Sequence, residues 1–403
     1  MRILVQKFGG TSLSTVQARQ CVIAHIEEAV ALNYRLVVVV SAMGRLGDPY
    51  ATDTLLEWIG RNGNRLPERE KDMLLSCGEV ISATTLCSLL TERAIPCRVL
   101  NGAQAGIVTN DKFGDAQIVS IQPARILELL SQGYVVIVTG FQGVTDRGEI
   151  TTLGRGGSDT SATALGAALN AECVDIFTDV DGIFTADPRI VSDARPLDRV
   201  TYAEICNMAH HGAKVIHPRA VEVAMQANIP VRVRSTFSSD PGTLVTSPEA
   251  VGKRLVRDRH VTGIAHVPNL TQIRVHAGEG RYDLQLTVFK AMAERQISVD
   301  FINVNPSGVV YTVFGKDGEH AVRALKEIGH EPEFFPDCAK IAVIGGGMSG
   351  VPGIMAKIVE SLTEEDIPIL QSADSSSSIW VLVRQADMER AVRALHKKFE
   401  LHK

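Results

Sequence analysis

Ile3-Leu4-Val5-Gln6-Lys7-Phe8-Gly9-Gly10-Thr11-Ser12 opens as a strand-sized apolar run and closes on a glycine pair. The same grammar returns three times. Leu36 to Val40 leads into Ser41-Ala42-Met43-Gly44, and Tyr134 to Val138 into Thr139-Gly140-Phe141-Gln142-Gly143. Cys173 to Phe177 leads into Thr178-Asp179-Val180-Asp181-Gly182. Helical patterns lie between, at Thr15 to Leu32 and Ser158 to Asn170. Strand, glycine turn and helix in rotation predict an α/β fold, with buried, mainly parallel strands and helices on both faces. Ligands of such sheets sit beyond the C-terminal ends of the strands, where all four glycine turns fall.

Composition narrows the field. The 403 residues are too many for one ordinary domain and predict two or three. Hydrophobic residues at 45% and charged residues at 22% exclude a disordered, collagenous or coiled-coil chain. The longest apolar run, Leu36 to Val40, is strand-sized, so no membrane partner is expected. Met1 to Lys7 is too short an apolar run for a signal peptide. A net charge of −5 gives no reason to expect nucleic acid. The seven cysteines include no CxxC pair, which predicts reduced thiols and a cytoplasmic setting.

After about Val233 the pattern changes. Ser235 to Thr243 is rich in turn formers and reads as a linker or domain edge. Beyond it lies a repeat: Ala321-Val322-Arg323-Ala324-Leu325 recurs as Ala391-Val392-Arg393-Ala394-Leu395. The same offset lays Gln296 to Val299 on Asp366 to Ile369, and Val309 to Phe314 on Ile379 to Arg384. Each unit reads β-α-β-β-α, and such small sheets leave an open edge for pairing between units or chains. Gly345 to Gly350 satisfies GxGxxG, but too few residues follow for a dinucleotide-binding domain.

Four stretches carry the candidate chemistry. In Lys7 to Ser12 the glycines allow close backbone approach, the next helix start can bind an anion, and Lys7 adds a point charge. It is not a Walker A loop, because GxxxxGK[ST] is missing. Thr151-Thr152-Leu153-Gly154-Arg155-Gly156-Gly157-Ser158-Asp159-Thr160-Ser161 is the richest stretch. Ser158 or Asp159 can cap the helix that follows, and the Arg155 fork suits a carboxylate or phosphate. Ser76-Cys77-Gly78-Glu79 places a carboxylate after an apolar pair. Thr178 to Gly182 and Phe184 to Arg189 bring acidic groups to a strand end, suited to Mg²⁺ or ribose hydroxyls. His210, His211 and His217 lack cysteine or carboxylate partners at ligand spacing and read as helix-end histidines.

Together Lys7 to Ser12, Val40 to Gly44, Gly78-Glu79, Gly140 to Gly143, Thr152 to Thr160 and Thr178 to Arg189 closely resemble the aspartate kinases. The resemblance implies a three-layer αβα amino-acid kinase fold at 1–240, followed by two tandem ferredoxin-like ACT domains at 260–336 and 338–403. Pro352-Gly353 matches the usual start of an ACT helix. It implies transfer of the γ-phosphoryl group of MgATP to the β-carboxylate of L-aspartate, the first committed step toward lysine, threonine, methionine and diaminopimelate. By motif match Lys7, Phe8, Gly9, Gly10, Ser41, Thr178, Asp179, Phe184, Asp187, Arg189 and Lys214 would bind ATP. Thr52 and Glu79 would contact aspartate, with Glu79 taking its amino group and Arg155 its α-carboxylate. Gly156, Gly157 and Ser158 would approach the reacting carboxylate, and Asp159 would orient the site. Lys7, Arg155 and Asp159 would carry the catalysis, and no direct protein ligand to Mg²⁺ is assigned.

Two departures stand out. Arg45 to Ala51 inserts residues where many members pass directly from Met-Gly to Thr-Thr-Asp, which loosens the alignment at Thr52. Leu370 to Ser378 differs from lysine-inhibited members and resembles the diaminopimelate-sensitive, Bacillus-type ones. Meso-diaminopimelate is therefore the favoured effector, ahead of lysine or threonine. Asp300, Asn303 and Asn305 would contact it, with Ser372 and Asp374, in a homodimer paired through the ACT domains. Two other readings are a kinase for glutamate, carbamate or UMP, and a non-catalytic effector-binding module. The first leaves Arg155 and the repeat unexplained, and the second leaves an intact set of site residues unexplained.

Overall fold

The computed structural model describes residues 1–60, 66–213, 215–248, 260–277, 283–346, 348 and 351–403. These form two compact units. Of the described residues, the first unit holds those of 1–183, 196–209 and 214–257, and the second those of 184–195, 210–213 and 258–403.

In the first unit the sheet order is Arg199–Thr201, Thr243–Thr246, Val231–Ser235, Cys173–Thr178, Ile3–Phe8, Arg35–Val40, Val135–Thr139, Cys97–Leu100. Every neighbouring pair is parallel except Val231–Ser235 with Thr243–Thr246. Leu36 to Val40 are all buried, as a central strand covered on both faces requires. Helix Val16–Ala31 is capped by Thr15, whose hydroxyl accepts the Ala18 N–H at 3.1 Å. Its Val22 and Ile26 join Phe8, Val38, Leu86 and Phe177 in one core.

Helix Glu68–Glu92 is long and apolar enough to cross a membrane by length and composition alone. Here it buries Leu75, Ala83, Leu86 and Leu90 within the unit, and two carboxylates, Asp72 and Glu79, face inward with them. It is the core helix that carries the site. A second small sheet, Ile118–Ile121, Ile107–Thr109, Gln142–Val144, Ile150–Thr152, delivers Thr151 and Thr152 to the same region.

Ser235 to Thr243 corrects the linker reading. It joins two paired strands, Val231 opposite Val245 and Val233 opposite Thr243, and so is a hairpin connection inside the first unit. Gly242, at φ +70, lies where a Cβ would strike the Val233 carbonyl at 2.0 Å.

The second unit holds a six-stranded sheet in which every described pairing is antiparallel: Asp300–Asn305, Gly308–Phe314, Gly263–His276, Glu333–Ile344, Ser378–Arg384, Gln371–Asp374. Strand, helix, strand, strand, helix occurs twice, as the repeat predicts. The two units interleave, however. The early half of Gly263–His276 pairs with Lys340 to Ile344, and its later half with Glu333 to Phe335. Val261 and Ile264 accordingly pack into the core of the second repeat, with Ile341, Ile358 and Leu395. Ile273 and Val275 pack into that of the first, with Val288 and Tyr311. Because Glu333–Ile344 belongs to this antiparallel sheet, the strand before Gly345 is no part of a parallel dinucleotide-binding unit. Gly347, Ser349 and Gly350 lie outside the described residues. All seven cysteines are free thiols.

Candidate active site

The first strand lies between Arg35–Val40 and Cys173–Thr178, so Lys7 emerges at the C-terminal end of the sheet. Its ammonium meets Asp159 Oδ1 at 2.7 Å, with both side chains only 12% and 14% exposed. Gly9 sits beside it: a Cβ there would lie 3.5 Å from Lys7 Nζ. Gly10 cannot carry a side chain, because a Cβ would meet the carbonyls of Ala42 and Gly44 at 2.6 and 2.7 Å. The glycine pair thus presses the first turn against Ser41 to Gly44.

Asp159 belongs to the first turn of helix Gly157–Ala168. The expectation that Ser158 or Asp159 caps this helix is corrected: the N-cap is Gly156, in the left-handed region at φ +70, and no side chain caps it. Asp159 is instead turned to Lys7. An uncapped helix start keeps amide donors available for an anion. The ring of His217 covers Gly156, where a Cβ would meet its Cγ at 2.1 Å.

Glu79 is 1% exposed and accepts the Ala42 N–H at 3.0 Å through Oε1. Its Oε2 has no hydrogen-bond partner. Burial pushes this carboxyl up to about 8, against the smaller opposing pull of the Ala42 amide.

Lys7, Ser41, Thr52, Glu79, Arg155, Gly156, Gly157, Ser158 and Asp159 line one cleft of about 510 Å³. Nine residues singled out in the sequence, from five separate stretches, are therefore neighbours. Others stand apart from its lining. Phe8 is fully buried and stacks on Phe177 at 4.6 Å, so its side chain serves the core, and only its backbone is left to meet a ligand. Thr178 Oγ1 donates to Asp179 Oδ1 at 3.1 Å, and Asp179 pairs with Arg45 at 2.7 Å. Arg45 belongs to the inserted stretch Arg45 to Ala51. Phe184, Asp187 and Arg189 belong to the second unit, where the Arg189 guanidinium pairs with Asp187 at 2.7 Å and holds its carboxyl below the usual range. Lys214 lies outside the described residues.

Asp72 was not singled out by any motif. Its carboxylate accepts the Thr152 N–H and hydroxyl, both at 2.7 Å, and the Gly114 N–H at 3.0 Å. It ties the long helix to the strand that leads into Arg155. Seven residues separate Asp72 from Glu79, two helical turns, and that spacing on an apolar helix was the available signal. Replacing Asp72 by alanine strands the buried Thr152 amide and hydroxyl and the half-buried Gly114 amide, so unfolding stability should fall by about 2–4 kcal/mol. Urea melts of the variant against the parent check this.

In the second unit Asp300 pairs with buried Lys340, which draws the Asp300 carboxyl below its ordinary value against the opposing effect of burial. Gln371 Nε2 donates to the Phe301 carbonyl, and Trp380 meets the Phe301 ring edge-on at 6.0 Å. Asn303 and Asn305 are exposed on one edge strand, and Ser372 and Asp374 on the other.

A mainly parallel sheet followed by a duplicated antiparallel unit is matched by two known families: the amino acid kinase family over residues 2–235, and the ACT domain over 333–397. The chain belongs to the amino acid kinase family, and within it to the aspartokinases. Aspartokinase 1 of Bacillus subtilis is 55% identical over 405 residues, with all of both chains covered. The aspartokinase of Geobacillus stearothermophilus is 40% identical, covering 100% of this chain and 98% of that one. Among solved structures, Escherichia coli aspartokinase III in complex with aspartate and ADP matches with a TM-score of 0.79 at 28% identity. The alignment covers 98% of this chain and 99% of that one.

Proposed function

We propose that this chain phosphorylates the β-carboxylate of L-aspartate with ATP, giving 4-phospho-L-aspartate, and is feedback-regulated through its ACT units. The observation that carries the reading is the cleft itself. It sets a lysine, a buried carboxylate with one open oxygen and an arginine around an uncapped helix start, in a chain 55% identical to an aspartokinase.

Phosphoryl transfer to a carboxylate asks for alignment and neutralised charge rather than a protein nucleophile. The acceptor is already ionised at pH 7, so no strong base is needed. Lys7, backed by Asp159, and the backbone of Gly9 and Gly10 receive the β- and γ-phosphates. Arg155 takes the α-carboxylate of aspartate and Glu79 its ammonium, which fixes the β-carboxylate toward Gly156 to Ser158. Mg²⁺ takes oxygen donors, and the Asp159 carboxylate, which lines the cleft, would help hold it. When bound, it offsets phosphate charge.

Trapping with hydroxylamine tests the reaction. MgATP with L-aspartate should yield aspartyl hydroxamate, while glutamate and UMP give no product. Added meso-diaminopimelate should suppress the signal more than lysine or threonine, through Asp300, Asn303, Asn305, Ser372 and Asp374 in a homodimer paired by its ACT edges. Turnover indifferent to all three would remove the regulatory half of the reading. A monomer in micromolar sedimentation runs with inhibition intact would remove the dimer. A cytoplasmic setting, suggested by the unpaired cysteines, is checked by fractionation of producing cells.

A further inference from the structure

Asp193, His396 and His402 have no part in the site above. One donor atom from each lies within 4.8 Å of the others in the second unit. His396, in the last turn of helix Met388–Lys398, is 1% exposed. Its Nε2 lies 2.9 Å from Thr185 Oγ1, which also accepts the Arg195 N–H at 3.0 Å. That contact orients the ring and leaves Nδ1 pointing to Asp193, whose Oδ1 is 4.0 Å away. Metal-bound histidines are commonly fixed through their other nitrogen in this way.

His402 supplies the independent observation. Its Nδ1 is buried and has no hydrogen-bond partner. An orphaned buried ring nitrogen is costly unless something occupies the space beside it, and the same ring supplies one of the three clustered donor atoms. The backbone around it is held: Arg195 Nη1 donates to the carbonyls of His402, at 3.5 Å, and of Lys403. Leu401 N–H also closes onto the His396 carbonyl at 3.1 Å.

We infer that Asp193, His396 and His402 form a site for a divalent transition metal of the Zn²⁺ class. Two imidazoles and one carboxylate suit Zn²⁺, Co²⁺ or Ni²⁺, whereas Mg²⁺ and Ca²⁺ favour oxygen alone. Three protein ligands leave a position for water. The separations exceed those of ligands on one ion. Asp193, with a side chain 64% exposed, is the member that swings in. A bound ion would fasten segment 184–195 to the last helix of its unit. Without an ion, Asp193–His396–Thr185 is a plain polar chain, and the orphaned His402 nitrogen has no explanation.

The test uses the full, untagged chain, stripped with a chelator and titrated with Zn²⁺ by calorimetry, with Mg²⁺ as control. One Zn²⁺ per chain and a raised melting temperature are expected, and Co²⁺ in its place should give visible bands of tetrahedral type. His402→Ala should abolish retention, and Asp193→Asn should weaken binding at least ~10-fold. Both should leave zinc-free aspartate turnover at the parental level. Asp193 is exposed, so its variant decides the matter if the other fails to fold. No zinc on the parent chain overturns the site, as does equal zinc on parent and Asp193→Asn protein, which would point to the cysteines instead.

Discussion

Lys7→Ala should lower kcat by about three orders of magnitude while moving the KM for aspartate less than threefold. The ammonium sits 2.7 Å from Asp159, close to closed off from water, at the end of the central strand. A charge held there acts at low local dielectric and needs no reorganisation as negative charge shifts between the phosphate oxygens. Arginine should not rescue it. The lysine head occupies a space bounded by the Gly9 backbone, within 3.5 Å of where a Cβ would stand, and a guanidinium needs more room. Asp159→Asn should cost less, about tenfold, because it loosens Lys7 without removing the charge. The measurement is steady-state turnover at saturating ATP for the three variants. A Lys7→Ala enzyme within tenfold of the parent would mean that the phosphates are neutralised elsewhere, and the cleft assignment would fall with it.

The parts that were legible in the sequence are those written in local pattern. Leu36 to Val40 reads as a buried parallel strand because five consecutive apolar residues fit little else between a helix and a glycine turn. The repeat was legible because its elements recur at one offset. What was not legible depends on long-range pairing. Nothing in Gly263 to Val267 announces that it pairs with Lys340 to Ile344, while its continuation pairs with Glu333 to Phe335. Turn formers such as Ser238, Asp240 and Gly242 serve a hairpin and a linker equally, and only the register of Val231 with Val245 decides between them. Ser158 and Asp159 looked like caps because their chemistry permits it. A left-handed Gly156 moved the helix start and left Asp159 free for a partner more than 150 residues away in sequence. Asp72 was passed over for the same reason: its partners, Gly114 and Thr152, come from distant stretches.

Glu79 sets the pH response. Its carboxyl is pushed up to about 8, because burial outweighs the opposing pull of the Ala42 amide and its own. At pH 7 the free enzyme therefore holds Glu79 protonated, whereas aspartate, carrying its ammonium, needs the carboxylate. Binding must release a proton. The kcat/KM for aspartate should then rise about tenfold per pH unit from pH 6 toward pH 8 and level off above it. Glu79→Gln should flatten that slope and raise the KM for aspartate about 100-fold, leaving the KM for ATP within threefold. Stability should move the other way. The folded-state value lies above the unfolded one of 4.5, so the folded chain binds the extra proton between pH 4.5 and about 8. Its contribution to stability is full below 4.5 and is lost as pH rises through about 8. The glutamine variant should thus melt close to the parent at pH 5 and above it at pH 8.5. Thermal melts at the two pH values separate this from a merely structural carboxylate. Equal melting shifts at both, together with a flat kcat/KM profile in the parent, would show Glu79 to be ionised throughout, with a cation or water already at its open oxygen.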